Sequence, residues 1–169
     1  MLSLSNILID GLLLSALLSV LIFASLRANA RLWLQDYPAP LRALVPPLSA
    51  DEKRSQRLLT LVFLALVIGT LVFSVARLRA ENGGTLPFLT AWAHIALVFN
   101  FFNLWDAVVI DYLVLTLMQP KFVILPGTEG HAALYNSLFH DWRLHVGNYL
   151  KGVIISTVLS LPLAFVAVL

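Results

Sequence analysis

The residues most able to do chemistry lie in one stretch of the chain. His94, Asn100, Asn103, Asp106 and Asp111 fall within a run that is otherwise almost entirely apolar, and Glu129, His131, His140, Asp141 and His145 follow soon after. At about 100° per residue, Asn100, Asn103, Asp106 and Asp111 share an arc of about 140° on a helix, with His94 outside it. Carboxylates and imidazoles together can hold a divalent metal through N and O ligands. They can also pass protons as general acids and bases. Asn100, Asn103, Asp106, Asp111, Glu129, His131, His140 and His145 are therefore candidate ligand-binding residues, and Asp106, Asp111, His140 and His145 candidate metal ligands. The plainer alternative is that these groups bond neighbouring helices or pair with Lys121, Arg143 or Lys151. His140 and His145 are five apart, about 140° round a helix, which is poor spacing for two ligands of one ion. No zinc-protease motif, phosphate-binding glycine loop or nucleophile elbow is present.

The elements that must position these groups are membrane helices. Of 169 residues, 60% are hydrophobic and 12% charged, with mean hydropathy +0.89. Soluble domains carry about 25% charge. There is no cysteine, which excludes a disulfide scaffold. A net charge of +2 argues against a nucleic-acid partner. Spans are expected at about residues 7–26, 58–79, 86–118 and 148–169, because about 20 apolar residues cross a bilayer. The first span could be read as a signal peptide with Ala28-Asn29-Ala30 as its cleavage site. Against that, its core is preceded by Asp10 and by no Lys or Arg, so a retained helix is expected.

Lys and Arg set the orientation. The connections after spans one and three, with their flanks, hold nine of them: Arg27, Arg31, Arg42, Lys53, Arg54, Arg57, Lys121, Arg143 and Lys151. The connection after span two holds Arg77 and Arg79 alone. Both long connections should be cytoplasmic and both termini external, in a cell inner membrane.

Prolines at 38, 40, 46 and 47 forbid a continuous helix in the first connection. Trp33 and Tyr37 suit the headgroup level. Ser49 and Glu52 form a capping box that starts the second span's helix near Ala50. Glu81 to Thr85 is a turn, which should make helices two and three antiparallel neighbours. Between Phe88 and Pro120 the third helix meets no Gly or Pro and is expected to continue to Met118. Lys121 to Leu125 reads as a short extended run. His131 to Val146 reads as an amphipathic helix lying at the cytoplasmic interface, and Pro162 should kink the last span.

Asn103-Leu104-Trp105-Asp106, Asp111-Tyr112, Pro120-Lys121-Phe122 and Pro126-Gly127-Thr128-Glu129-Gly130 resemble a family of small uncharacterised bacterial four-helix membrane proteins. Asp36-Tyr37-Pro38 and Pro46-Pro47-Leu48-Ser49 extend the likeness, and Tyr112 stands where that pattern has Trp. The resemblance implies a shared four-helix architecture and nothing catalytic. The expectation is thus an all-α membrane protein of one domain, with a long third helix. Its partners would be the lipid bilayer and either further copies of itself or a larger membrane complex. It would bind a small ligand or ion, or act as an accessory subunit. The alternative is a membrane-embedded enzyme with an Asp/His/Glu site, with or without a divalent metal, at the cytoplasmic interface.

Overall fold

The computed structural model covers residues 1–169 and contains helices and no strand. In chain order these are α1 (Leu4–Ala28), a 3-10 segment (Ala30–Asp36), α2 (Ala39–Arg42), α3 (Ala50–Glu81) and α4 (Phe88–Trp105). A π segment (Asp106–Met118), two 3-10 turns (Lys121–Val123 and Glu129–His131), α5 (Ala132–Phe139) and α6 (Trp142–Val168) complete them. Four helices are long and apolar enough to cross a membrane: α1, α3, α4 with its π continuation, and α6.

Local chemistry explains the boundaries. Ser3 caps α1 by accepting from the Asn6 amide at 3.3 Å. The capping box at α3 is fully formed: Glu52 N–H donates to Ser49 Oγ, and Ser49 N–H donates back to the Glu52 carboxylate. Pro87 occupies the position before α4, so that helix begins at Phe88 rather than Leu86. The expected single helix over 131–146 is divided. Asp141 accepts from the Arg143 amide at 3.0 Å and starts a new helix there. An N-cap residue has extended backbone, so α5 cannot run through it. The last span consequently begins at Trp142, not near residue 148, and stays helical through Pro162. Lys121 to Val123 form a 3-10 turn where an extended run was expected, and Ile124 is extended.

The helices pack in the order α3, α1, α4, α6. Helices α3 and α4, joined by the short turn, touch through Ser74 and His94 and through the edge-on rings of Phe63 and Phe102, and each packs more fully on α1. The α1–α4 seam is tight at Gly11, where a Cβ would come within 2.5 Å of Phe101 Cγ and 2.8 Å of its Cβ. Small residues let membrane helices approach in this way, and Ser15 continues the buried stripe one turn on. Gly152 plays the same part on α6, where a Cβ would stand 3.0 Å from Asn103 Oδ1.

Tyr37 departs from its expected place among lipid headgroups. It is buried, and its hydroxyl donates to the Val123 carbonyl at 2.7 Å. The contact ties the first long connection to the second. Trp33 is held inward too, donating from Nε1 to Ser25 Oγ at 2.9 Å.

Gly11→Ala should lower stability by about 1–3 kcal/mol, the usual result of overpacking, because Phe101 Cβ is anchored to its backbone and cannot swing aside. Unfolding of the purified protein in lipid nanodiscs measures this, and adding Phe101→Ala should recover part of the loss. An unchanged stability for Gly11→Ala would mean that the seam has room for a methyl group.

Candidate functional site

A cavity of about 410 Å³ opens at the end of the bundle where the long connections lie. Its walls come from α1 (Ile22, Leu26), the 3-10 segment and the next residue (Trp33, Gln35, Asp36, Tyr37), and the π segment (Asp106, Ile110, Asp111, Leu115). Phe139 and Asn148 close it from α5 and α6. Three carboxylates face it, and no Lys or Arg is among the residues that line it.

The π geometry brings two of those carboxylates together. Asp106 and Asp111 are five apart, which on an α-helix would separate them by about 140°. A π-helix bonds each residue to the one five before it and turns less per residue, so positions five apart swing towards one face. Thr116 continues the series, with its hydroxyl 2.9 Å from the Asp111 carbonyl. Helical π turns are uncommon and concentrate at functional sites.

The third carboxylate, Asp36, arrives from outside the spans. Several bonds hold its segment in place. Gln56 Nε2 donates to the Leu32 carbonyl at 3.0 Å, and Arg31 Nε donates to Glu52 at 2.6 Å. Much of the Asp36 surface is open at the cavity mouth, yet the protein around it strips enough solvation to push its carboxyl above the usual range, with Arg42 acting the other way. Burial also raises the neighbouring Tyr37 phenol, and Tyr135 and Asp36 add to this.

His145 joins the site from α6. Its Nε2–H donates to the Phe139 carbonyl at 2.6 Å, which leaves Nδ1 facing Asp111 Oδ2 at 3.7 Å. The ring is thus oriented by backbone on one side and sees a carboxylate on the other.

The other sequence candidates lie elsewhere. Asn100 and Asn103 face α6: Asn100 Nδ2 donates to Thr157 Oγ1 at 3.3 Å and Asn103 Nδ2 to Ser156 Oγ at 2.8 Å. They join two helices and do not line the cavity. Glu129 accepts from the Gly127 amide at 3.0 Å on the surface. His131 is exposed at the end of a 3-10 turn. His140 is exposed, its Nδ1–H donating to the Asn136 carbonyl at 2.8 Å. No three His, Asp or Glu side chains come together as one metal ion would require. Asp106, Asp111, His140 and His145 therefore do not form one coordination sphere, because the break at Asp141 directs His140 away.

Sequence reasoning missed Trp33, Gln35, Asp36, Tyr37 and Asn148 as cavity residues. One signal was legible: Asp36 is an acidic side chain in a connection otherwise dominated by arginine.

Asp36 binds its proton more tightly folded than unfolded. Its contribution to stability is therefore complete below the ordinary value of 3.8 and is lost as pH rises through the higher folded value. Asp36→Asn should gain on the wild type in melting temperature over the window that opens as pH rises above 3.8. Parallel melting curves across that window would contradict the placement of Asp36 in this pocket. No family model, curated protein or solved structure matches the chain.

Proposed function

We propose that the protein is a multi-pass protein of the bacterial inner membrane that binds a small organic cation in the acidic cavity. One observation carries this reading: three carboxylates line a space of about 410 Å³ with no Lys or Arg among its walls. Such a site attracts positive charge, and low-dielectric walls strengthen the attraction. No three His, Asp or Glu side chains gather around one point here, which favours a larger ion whose charge is spread over several contacts. Trp33, Tyr37 and Phe139 supply aromatic surface of the kind that receives ammonium groups. In the orientation expected from the nine-to-two division of Lys and Arg, the cavity opens to the cytoplasm.

A second reading draws on the Asp111–His145 approach of 3.7 Å. A carboxylate and an oriented imidazole beside a cavity can exchange protons with a bound molecule. That reading makes the protein a membrane-embedded enzyme acting on the same cationic class, and it requires that the bound cation be chemically changed on incubation.

Two experiments test these proposals. Cysteines placed at Ser55 and Asn82 should label from opposite sides of intact cells, Asn82 from outside. Labelling of both from one side would overturn the topology. For the site, tetramethylammonium, propylammonium and spermidine should raise the melting temperature of the purified protein beyond sodium chloride at matched ionic strength. Asp106→Asn or Asp111→Asn should weaken the best of them at least tenfold, about 1.4 kcal/mol. If no ammonium ion outperforms sodium, the cation reading fails.

A further inference from the structure

A second polar cluster lies near the opposite end of the bundle, in the half that carries the termini. Asp10 of α1, Ser74 and Arg77 of α3, and His94 of α4 meet there. Asp10 and His94 lie about 9 Å along their helices from the first residue, and Ser74 about 10 Å from the end of α3, at ~1.5 Å per residue. Asp10, Ser74 and His94 are completely buried. Arg77 Nη2 sits 2.9 Å from both Asp10 oxygens, an ion pair with the carboxylate. Ser74 Oγ is 2.5 Å from Asp10 Oδ2 and 2.6 Å from His94 Nε2.

The hydroxyl has one proton for two neighbours. An ionised carboxylate can only accept, so Ser74 donates to Asp10, and the short contact with His94 must be filled by the Nε2 proton. This assigns His94 as the neutral Nε2–H tautomer. Its Nδ1 then carries a lone pair, and Nδ1 is buried without any hydrogen-bond partner. The charged groups near enough to act on the ring are Asp10 from α1 and Arg77 and Glu81 from α3. Glu81 is itself bonded to Asn6 Nδ2 at 2.6 Å, and the apolar part of α6, residues 152–169, has no titratable side chain.

We propose that His94, Ser74 and Asp10 form a proton-binding relay, in which a proton taken up at His94 Nδ1 is delivered to Asp10. The balance closes with three groups. A proton bonds to Nδ1; the Nε2–H proton moves to Ser74 Oγ; the original Ser74 proton moves to Asp10 Oδ2. His94 ends neutral as the Nδ1–H tautomer, Ser74 is again a hydroxyl, and Asp10 is a neutral acid. One proton has been bound, no other reactant is needed, and Arg77 has lost its counter-ion. The ion pair that joins α1 to α3 is thereby coupled to proton uptake at His94. The contacts run Asp–Ser–His, not Ser–His–Asp as in a nucleophilic triad, so Ser74 acts as a conduit and not as a nucleophile.

The test uses the full chain in nanodiscs. With ¹⁵N-labelled histidine, the resonances that vanish in His94→Gln should report the Nε2–H tautomer at neutral pH. On acidification they should change to the Nδ1–H tautomer, and difference infrared spectra should gain a protonated-carboxyl band that Asp10→Asn lacks. Ser74→Ala should lose that band and Ser74→Thr should retain it. If Asp10→Asn does not fold, the Ala and Thr variants at Ser74 carry the same comparison. The relay is overturned if His94 is Nδ1–H at neutral pH, if Ser74→Ala keeps the band, or if wild type binds no proton there before acid unfolding.

Discussion

Inside hydrocarbon a polar group has no water to fall back on, and every other feature of this bundle follows from meeting that condition. Lipid tails are as apolar as leucine, so burial alone does not gather the helices. Polar contacts at separate depths align them instead. Asp10 and Arg77 join α1 to α3. Trp105 Nε1, donating to Ser19 Oγ at 3.0 Å, joins the end of α4 to α1. Asn100 and Asn103 join α4 to α6 through Thr157 and Ser156. Glycine and serine at the seams let these short side chains reach.

The same condition explains why the third span changes its winding. Its first half is α-helical and places His94, Asn100 and Asn103 against three different partners. From Asp106 onward the wider π winding gathers Asp106 and Asp111 on the cavity side, where two loops can cover them. The segment ends at Gln119, which takes a positive φ of 38° before Pro120 turns the chain.

Much of this architecture was legible in the residues themselves. Uninterrupted apolar runs announced four helices, and Ser49 with Glu52 announced where α3 starts. The extension of the third helix to Met118 followed from the lack of a breaker, but π winding has no local sequence signature to read. The division at Asp141 was missed because apolar periodicity over 131–146 is strong enough to hide an N-cap in its middle. Asn100 and Asn103 looked like site residues because periodicity places them on the same arc as the aspartates. Only the position of α6 decides that they serve packing. Asp10 was visible as a charge inside an apolar span. Its partners Ser74 and His94 sit 64 and 84 residues away along the chain, a pairing that helical periodicity cannot supply.

Helix α3 is fastened near its two ends, through Ser74 and Arg77 at one and through Glu52 and Gln56 at the other. Between them Leu58, Leu61, Leu64, Ile68 and Val72 are all exposed on the helix surface. As such sequences diverge over time, that outer face is free to exchange leucine for isoleucine, valine or phenylalanine. The fastenings must travel as sets, a serine with its aspartate and a glutamate with its arginine. Descendants of this chain should therefore look variable along the middle of α3 and frozen in pairs at its ends.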